Sequence, residues 1–345
     1  MIETLQSLRI VFALTVMLAH FSYAGIEGKS TGVGPMFFML MTGFVMSRSY
    51  GAKVLDGSFE YGKFLLRRLF KFYPLHLLCL LIFIAIHRHT LEVADYQTLL
   101  PNLLLLQSWI PVTSFYFSGN AVSWYLSDLL FFLLLFPFLY KGIGRMSGKN
   151  LLRLVSGLLV IYVVYVSFIQ TDDLNYWLYI FPPVRLFDFI WGMVMWRCYE
   201  LYPMAGRWSH PTVIELVLIV GVVMTIITYP LHDRWHVALI HWLVLIPVVW
   251  VFMQGDRYGG WVSRLLKTRA MVWLGGLTLD TYLLHQLVFA VMMSNMAKQD
   301  IQLPYAVMLL ICLTIVVFVS YITHTWFVNP INNRLLTLFI KKSRQ

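Results

Sequence analysis

Residues 8–23 read LRIVFALTVMLAHFSY, an apolar run interrupted by two residues that are costly in lipid, Arg9 and His20. Eleven residues separate them, close to a whole number of turns at 3.6 residues per turn, so both project from one helix face about 16 Å apart. An arginine and a histidine on one face of a spanning helix need a cavity or a partner. The stretch therefore reads as a membrane helix, with the rest of the chain a bundle assembled around that face.

The composition agrees. The chain has 345 residues, 59% hydrophobic and only 12% charged, against about 25% charged in a soluble domain. Apolar runs of spanning length recur at about 7–23, 33–49, 73–89, 122–140, 153–170, 183–199, 212–229, 236–253, 271–295 and 304–327. The expected fold is all-α: a polytopic transmembrane helix bundle of about ten spans, forming one integral membrane domain over residues 1–345. The first run lacks a basic n-region and an A-x-A-like site, so it is expected to be a retained helix and not a signal peptide. Cys79, Cys198 and Cys312 each sit in apolar surroundings, with no disulfide framework and no metal-ligand spacing. The net charge of +10 invites a nucleic-acid reading, which the membrane pattern excludes. In a membrane protein, excess Lys and Arg gather in cytoplasmic loops.

One further apolar run, residues 99–109, is short and contains Pro101. It fits an interfacial or re-entrant piece. If it does not cross and the N-terminus is cytoplasmic, the inner loops collect twenty of the 26 Lys and Arg, including Arg207, Lys342 and Arg344. The outer loops then hold Lys29, Arg88, Arg234 and Lys298. That asymmetry predicts both termini inside. The short loops and the absence of internal repeats weaken a transporter reading, in which buried Arg, His and Asp would line a path for an envelope glycan precursor.

Several blocks fall in a fixed order. Arg9 and His20 form R-x10-H in the first helix, and residues 34–44 follow as GPMFFMLMTGF. Arg67, Arg68, Lys71, Tyr73 and Pro74 form a basic stretch after the second helix. Residues 123–128 read SWYLSD, Arg185 opens RLFDFIWG, and residues 274–286 read LGGLTLDTYLLHQ. Together these blocks make the chain resemble the acyltransferase-3 family of integral membrane O-acyltransferases, in the form that stands alone without a fused hydrolase domain. Two positions depart from the family pattern. Asp128 stands one residue early for its acidic position, and Asn329 replaces the acidic residue of the last helix.

The resemblance implies a multi-pass protein of the bacterial inner membrane that transfers an acyl group, often acetyl, from cytoplasmic acyl-CoA to a hydroxyl. The implied acceptor is a cell-surface polysaccharide or a lipid-linked sugar. Membrane lipid, donor and acceptor are then the partners, with acyl-CoA as cosubstrate and neither a bound cofactor nor a metal. The residue chemistry is compatible. Arg67, Arg68 and Lys71 suit an anionic nucleotide, and Arg is the better phosphate fork. His20 is the candidate general base, since attack by an alcohol on a thioester profits from a base poised near neutral pH. Asp128 is the candidate carboxylate to orient it, Arg9 the candidate for the donor's pantetheine or phosphate end, and an acyl-histidine relay is the alternative. Arg185 and Asp188 are expected either to line an outer chamber with His20 and Asp128 or to pair with each other. Tyr73, Trp124, Ser127, Tyr282 and His285 complete the candidate substrate-binding set. His232, His236 and His241 have no supporting ligands and are expected at the surface or interface, and the Met-rich run around Gly43 is expected to pack on the first helix.

Overall fold

The computed structural model describes residues 2–28, 32–90, 92–170, 173–203, 208–228, 234–235, 238–239 and 241–341. Lys29, Arg207, His232, His236, Lys342 and Arg344 lie outside the described residues. Among the described residues the regular elements are all helices, with no strand. Among the described residues, six helices are long and apolar enough to cross a membrane: Tyr61–His87, Ala121–Ile143, Gly148–Phe168, Tyr176–Leu201, Pro211–Thr228 and Tyr305–Ile340. A seventh candidate is the pair Arg269–Gly276 and Thr278–Lys298, bent by 66°. This is the make-up of an integral, multi-pass membrane protein.

Three expected spans fall outside that set for visible reasons. The helix over 7–23 begins earlier, as Glu3–His20, and carries Glu3, Gln6, Arg9 and His20. The helix over 33–49 runs on to Asp56 and takes in Arg48 and Lys53. The described helix within 236–253 is His241–Phe252, only 12 residues long.

In chain order the main helices are α1 Glu3–His20, α2 Val33–Asp56, α3 Tyr61–His87, α4 Val93–Leu103, α5 Trp124–Ile143, α6 Gly148–Phe168 and α7 Pro182–Leu201. There follow α8 Pro211–Thr228, α9 His241–Phe252, α10 Trp261–Leu266, α11 Arg269–Gly276, α12 Thr278–Lys298 and α13 Tyr305–Thr323. The chain makes two compact units, each drawn from three stretches. The first holds Met1–Phe12, Thr31–Phe59 and Asp128–Val272, and the second Ala13–Ser30, Glu60–Ser127 and Trp273–Gln345.

In the first unit α2 crosses α7 at two glycines. A Cβ on Gly43 would lie 1.9 Å from the Phe189 carbonyl oxygen, and one on Gly192 would lie 2.0 Å from that of Leu40. Only a residue without a side chain lets two helix backbones approach so closely. The Met-rich run meets α1 as expected, through Phe37 stacked on Phe12 with ring centroids 3.9 Å apart. Gly43 itself packs on α7 and not on α1, which corrects the sequence expectation. The start of α1 is fixed by the far end of the chain. Asp256 accepts the backbone N–H of Glu3 and Thr4 at 2.9 and 3.1 Å. These are among the donors a helix start leaves without an internal partner. Thr4 Oγ donates to Phe252 O and Ser7 Oγ to Leu266 O, each at 2.5 Å. Glu215 serves α10 in the same way, accepting the N–H groups of Gly260, Val262 and Ser263 at 2.7, 3.0 and 3.3 Å.

In the second unit the stretch 99–109 is short, as its sequence requires. It comprises the end of the 11-residue α4, with Pro101 inside it, and one 3-10 turn at Gln107–Trp109. Its polar side chains are buried and bonded. Asn102 Nδ2 donates to Ser118 O at 2.6 Å, Gln107 Nε2 to Ser123 O at 3.0 Å, and Ser108 Oγ to Ser127 Oγ at 2.6 Å. Leu100, Leu104 and Leu106 remain exposed.

Candidate active site

His20 closes α1, and its residue is exposed. Its Nδ1 lies 2.9 Å from the Val16 carbonyl, one turn back, and 3.1 Å from Nε2 of His285. His285 is fully buried on α12, with its own Nδ1 2.7 Å from Tyr282 O and 3.3 Å from Thr281 O. The segment just before α5 grips α12 at this turn. Asn120 Nδ2 donates to Leu283 O at 2.7 Å, and the Tyr282 hydroxyl donates to Val122 O at 3.1 Å. The Tyr125 ring stands edge-on to Tyr282, with centroids 5.5 Å apart. Tyr282 and His285 stand three residues apart on α12, so they are neighbours on its surface, and His20 joins them there.

A second ionisable pair lies in the same unit. His324 Nδ1 is 2.9 Å from Oδ2 of the buried Asp280. His324 opens a π-helical turn, His324–Val328, where α13 widens. Sequence reading passed over His324. The signal that picked out His20, an ionisable residue inside an apolar helix, applies equally there.

The first unit holds a different cluster. Arg185 and Asp188 lie three residues apart on α7, with Nη1 and Oδ2 3.0 Å apart and side chains 0% and 1% exposed. Oδ1 of Asp188 accepts from Nε1 of Trp242 at 2.5 Å and lies 3.1 Å from Nε2 of His241. His241 is thus buried on α9, where the sequence suggested a surface or interfacial residue. Helical spacing gives the face of its own helix and not the carboxylate opposite. Tyr162 completes the cluster, donating to Ala238 O at 3.2 Å and packing on Trp242 at 4.5 Å between centroids. The arrangement ties α7 to α9, as the pairing expectation for Arg185 and Asp188 requires. Arg9 is half-buried, with Nη1 3.3 Å from Gln6 Oε1. Asp128 is fully buried in the first turns of α5. Of the four residues expected in an outer chamber, His20 belongs to the second unit, and Asp128, Arg185 and Asp188 belong to the first.

A family profile described as an acyltransferase domain matches residues 2–325. The chain belongs to the acyltransferase-3 family. Acyltransferase MdmB of Streptomyces mycarofaciens is 28% identical over 275 residues, which is 73% of this chain. The match spans 66% of that relative's own length. No solved structure matches the chain significantly.

In this acyltransferase-3 chain the basic stretch opens α3. Arg67 and Lys71 are exposed one turn apart, while the Arg68 guanidinium lies 5.9 Å from the centroid of the Phe64 ring. The Tyr73 hydroxyl donates to Leu103 O at 2.9 Å. Trp124 and Ser127 are buried at the start of α5, where Ser127 accepts from Ser108. Arg67 and Lys71 are exposed, whereas Tyr73 and Ser127 bond within the second unit.

Proposed function

We propose that the chain transfers an acyl group, acetyl foremost, from cytoplasmic acyl-CoA to a hydroxyl of a cell-surface polysaccharide or lipid-linked sugar, with His20 as general base. The observation that carries this reading is the His20 ring itself. It is exposed at the end of α1, with Nδ1 engaged and Nε2 hydrogen-bonded to none of the described residues. An imidazole with one nitrogen held and the other open is suited to taking a proton from an alcohol. His20 Nε2 takes the acceptor's proton as the oxygen attacks the thioester carbonyl. The C–S bond then breaks, and the departing thiolate takes up that proton from Nε2. Family membership and the acyltransferase name of the Streptomyces relative support acyl transfer.

Arg9 lies about three turns from His20 on α1 and is assigned to the donor's pantetheine or phosphate end. Arg67 and Lys71 are assigned to its phosphates, where guanidinium geometry favours bidentate contact. The same reading keeps ten spans, both termini cytoplasmic, and a place in the bacterial inner membrane.

The decisive assay uses purified protein, labelled acetyl-CoA and a crude glycan-lipid fraction. Label is expected in the glycan-lipid, and equal transfer by wild type and His20→Ala removes His20 from the chemistry. Arg9→Lys keeps the charge but loses the fork, and is expected to raise KM for acetyl-CoA. For topology, a cysteine at the exposed Ser114 is expected to react with an impermeant maleimide from outside. Reaction only from the cytoplasmic side refutes the ten-span arrangement.

A further inference from the structure

We infer that His285 is a positioning residue that, together with the Val16 carbonyl, holds His20 as the Nδ1–H tautomer and so leaves Nε2 to act as base. The inference rests on the proposed role of His20, and it follows from which atoms are able to donate. A carbonyl oxygen only accepts, so His285 Nδ1, at 2.7 Å from Tyr282 O, carries its hydrogen. In the neutral ring Nε2 then presents a lone pair. That lone pair faces His20 Nδ1 at 3.1 Å, so His20 Nδ1 carries a hydrogen. The Val16 carbonyl at 2.9 Å makes the same demand independently. Both constraints leave the lone pair of neutral His20 on Nε2, the nitrogen without a partner among the described residues.

The chain of bonds starts from backbone and not from a carboxylate. Tyr282 O and Thr281 O are fixed by α12, and α12 is gripped at this turn by Asn120 on Leu283 O and by Tyr282 on Val122 O. Asn120 and the Val122 carbonyl therefore act at a distance. They hold the turn that holds His285, which holds His20. When Nε2 gains the acceptor's proton, the Nδ1–H of the imidazolium already points at an acceptor, so no reorientation accompanies the transfer. A third group that orients a base is the general logic of catalytic triads. Here a buried histidine fills that place.

The test compares three substitutions at His285 with His20→Ala, using the same acetyl-transfer assay. Gln carries its terminal amide near the position of Nε2 and its oxygen accepts from His20 Nδ1–H. Phe fills the same volume without an acceptor, and Ala removes both. His285→Ala and His285→Phe are expected to lower kcat about 10–100-fold, as removal of a histidine's orienting partner does elsewhere. KM for acetyl-CoA is expected to stay unchanged, and His285→Gln to recover part of the loss. Equal activity of the Gln and Phe variants overturns the hydrogen-bond role, as does wild-type kcat in His285→Phe while His20→Ala is inactive. If His20→Ala is itself fully active, the base assignment fails instead. Nitrogen-15 NMR of histidine-labelled wild-type protein, with His20 assigned by its loss in His20→Ala, reads the tautomer without requiring any His285 variant to fold. An unprotonated Nε2 and a protonated Nδ1 are expected, and the reverse tautomer refutes the inference.

Discussion

Among the described residues His241 and His285 are buried beside ionisable partners, and the two arrangements end differently. Around Asp188, donors surround the acceptor: Arg185, His241 and Trp242 converge on one carboxylate, and all four residues are buried. Around His285, the bonds form a line with an open end at the exposed His20. A closed cluster fixes helices, because each buried charge is matched by a partner. A line whose last nitrogen is unoccupied leaves one group available for chemistry. Perturbed ionisable residues are therefore weak evidence of catalysis by themselves, and the unfilled valence separates the two cases.

The sharpest way to break this comparison is to remove one member from each arrangement. His20→Ala is expected to lower kcat by about 10²–10⁴-fold, the span of general-base contributions, with the melting temperature in detergent little changed. Asp188→Ala strands Arg185 in the interior and is expected to cost about 3–5 kcal/mol of stability. Chemical denaturation reads that loss, and the activity that remains is expected to follow the folded fraction. If Asp188→Ala keeps full stability but loses transfer, the division between closed and open arrangements fails. Gly43→Ala places a methyl group against the Phe189 carbonyl and is expected to cost toward the upper end of about 1–3 kcal/mol, measured by thermal melt. Asp256→Ala removes the acceptor at the start of α1 and is expected to cost about 1 kcal/mol. It leaves kcat per folded molecule unchanged, since it touches neither arrangement.

Much of this was legible in the sequence. The Arg9–His20 spacing, the apolar runs and the ordered blocks led to a multi-pass helical protein of the acyltransferase-3 family, and both the family and the helical make-up stand. The brevity of 99–109 was legible because Pro101 and length alone limit it. The partners were not. His20 and His285 are 265 residues apart, and His241 and Asp188 are 53 apart. Periodicity reports which residues share a face of one helix, but it carries no information about which helix that face meets. For that reason His241 was expected at the surface and Gly43 against α1. His324 and its partner Asp280 are 44 residues apart, so the same limit applies to them.

The anchoring of α1 has a consequence for the order in which the protein is made. α1 leaves the ribosome before its partners do, since Thr4 bonds to Asp256, Ser7 to Leu266 and His20 to His285. At about 5–20 residues per second, the partners of the first turn emerge on the order of ten seconds or more after the helix itself. The partner of its last residue comes later still. Until then the first N–H groups of α1 lack these acceptors, and His20 Nδ1 has only the Val16 carbonyl of its own helix. The end of α1 that carries His20 is thus synthesised well before the residue that bonds to it.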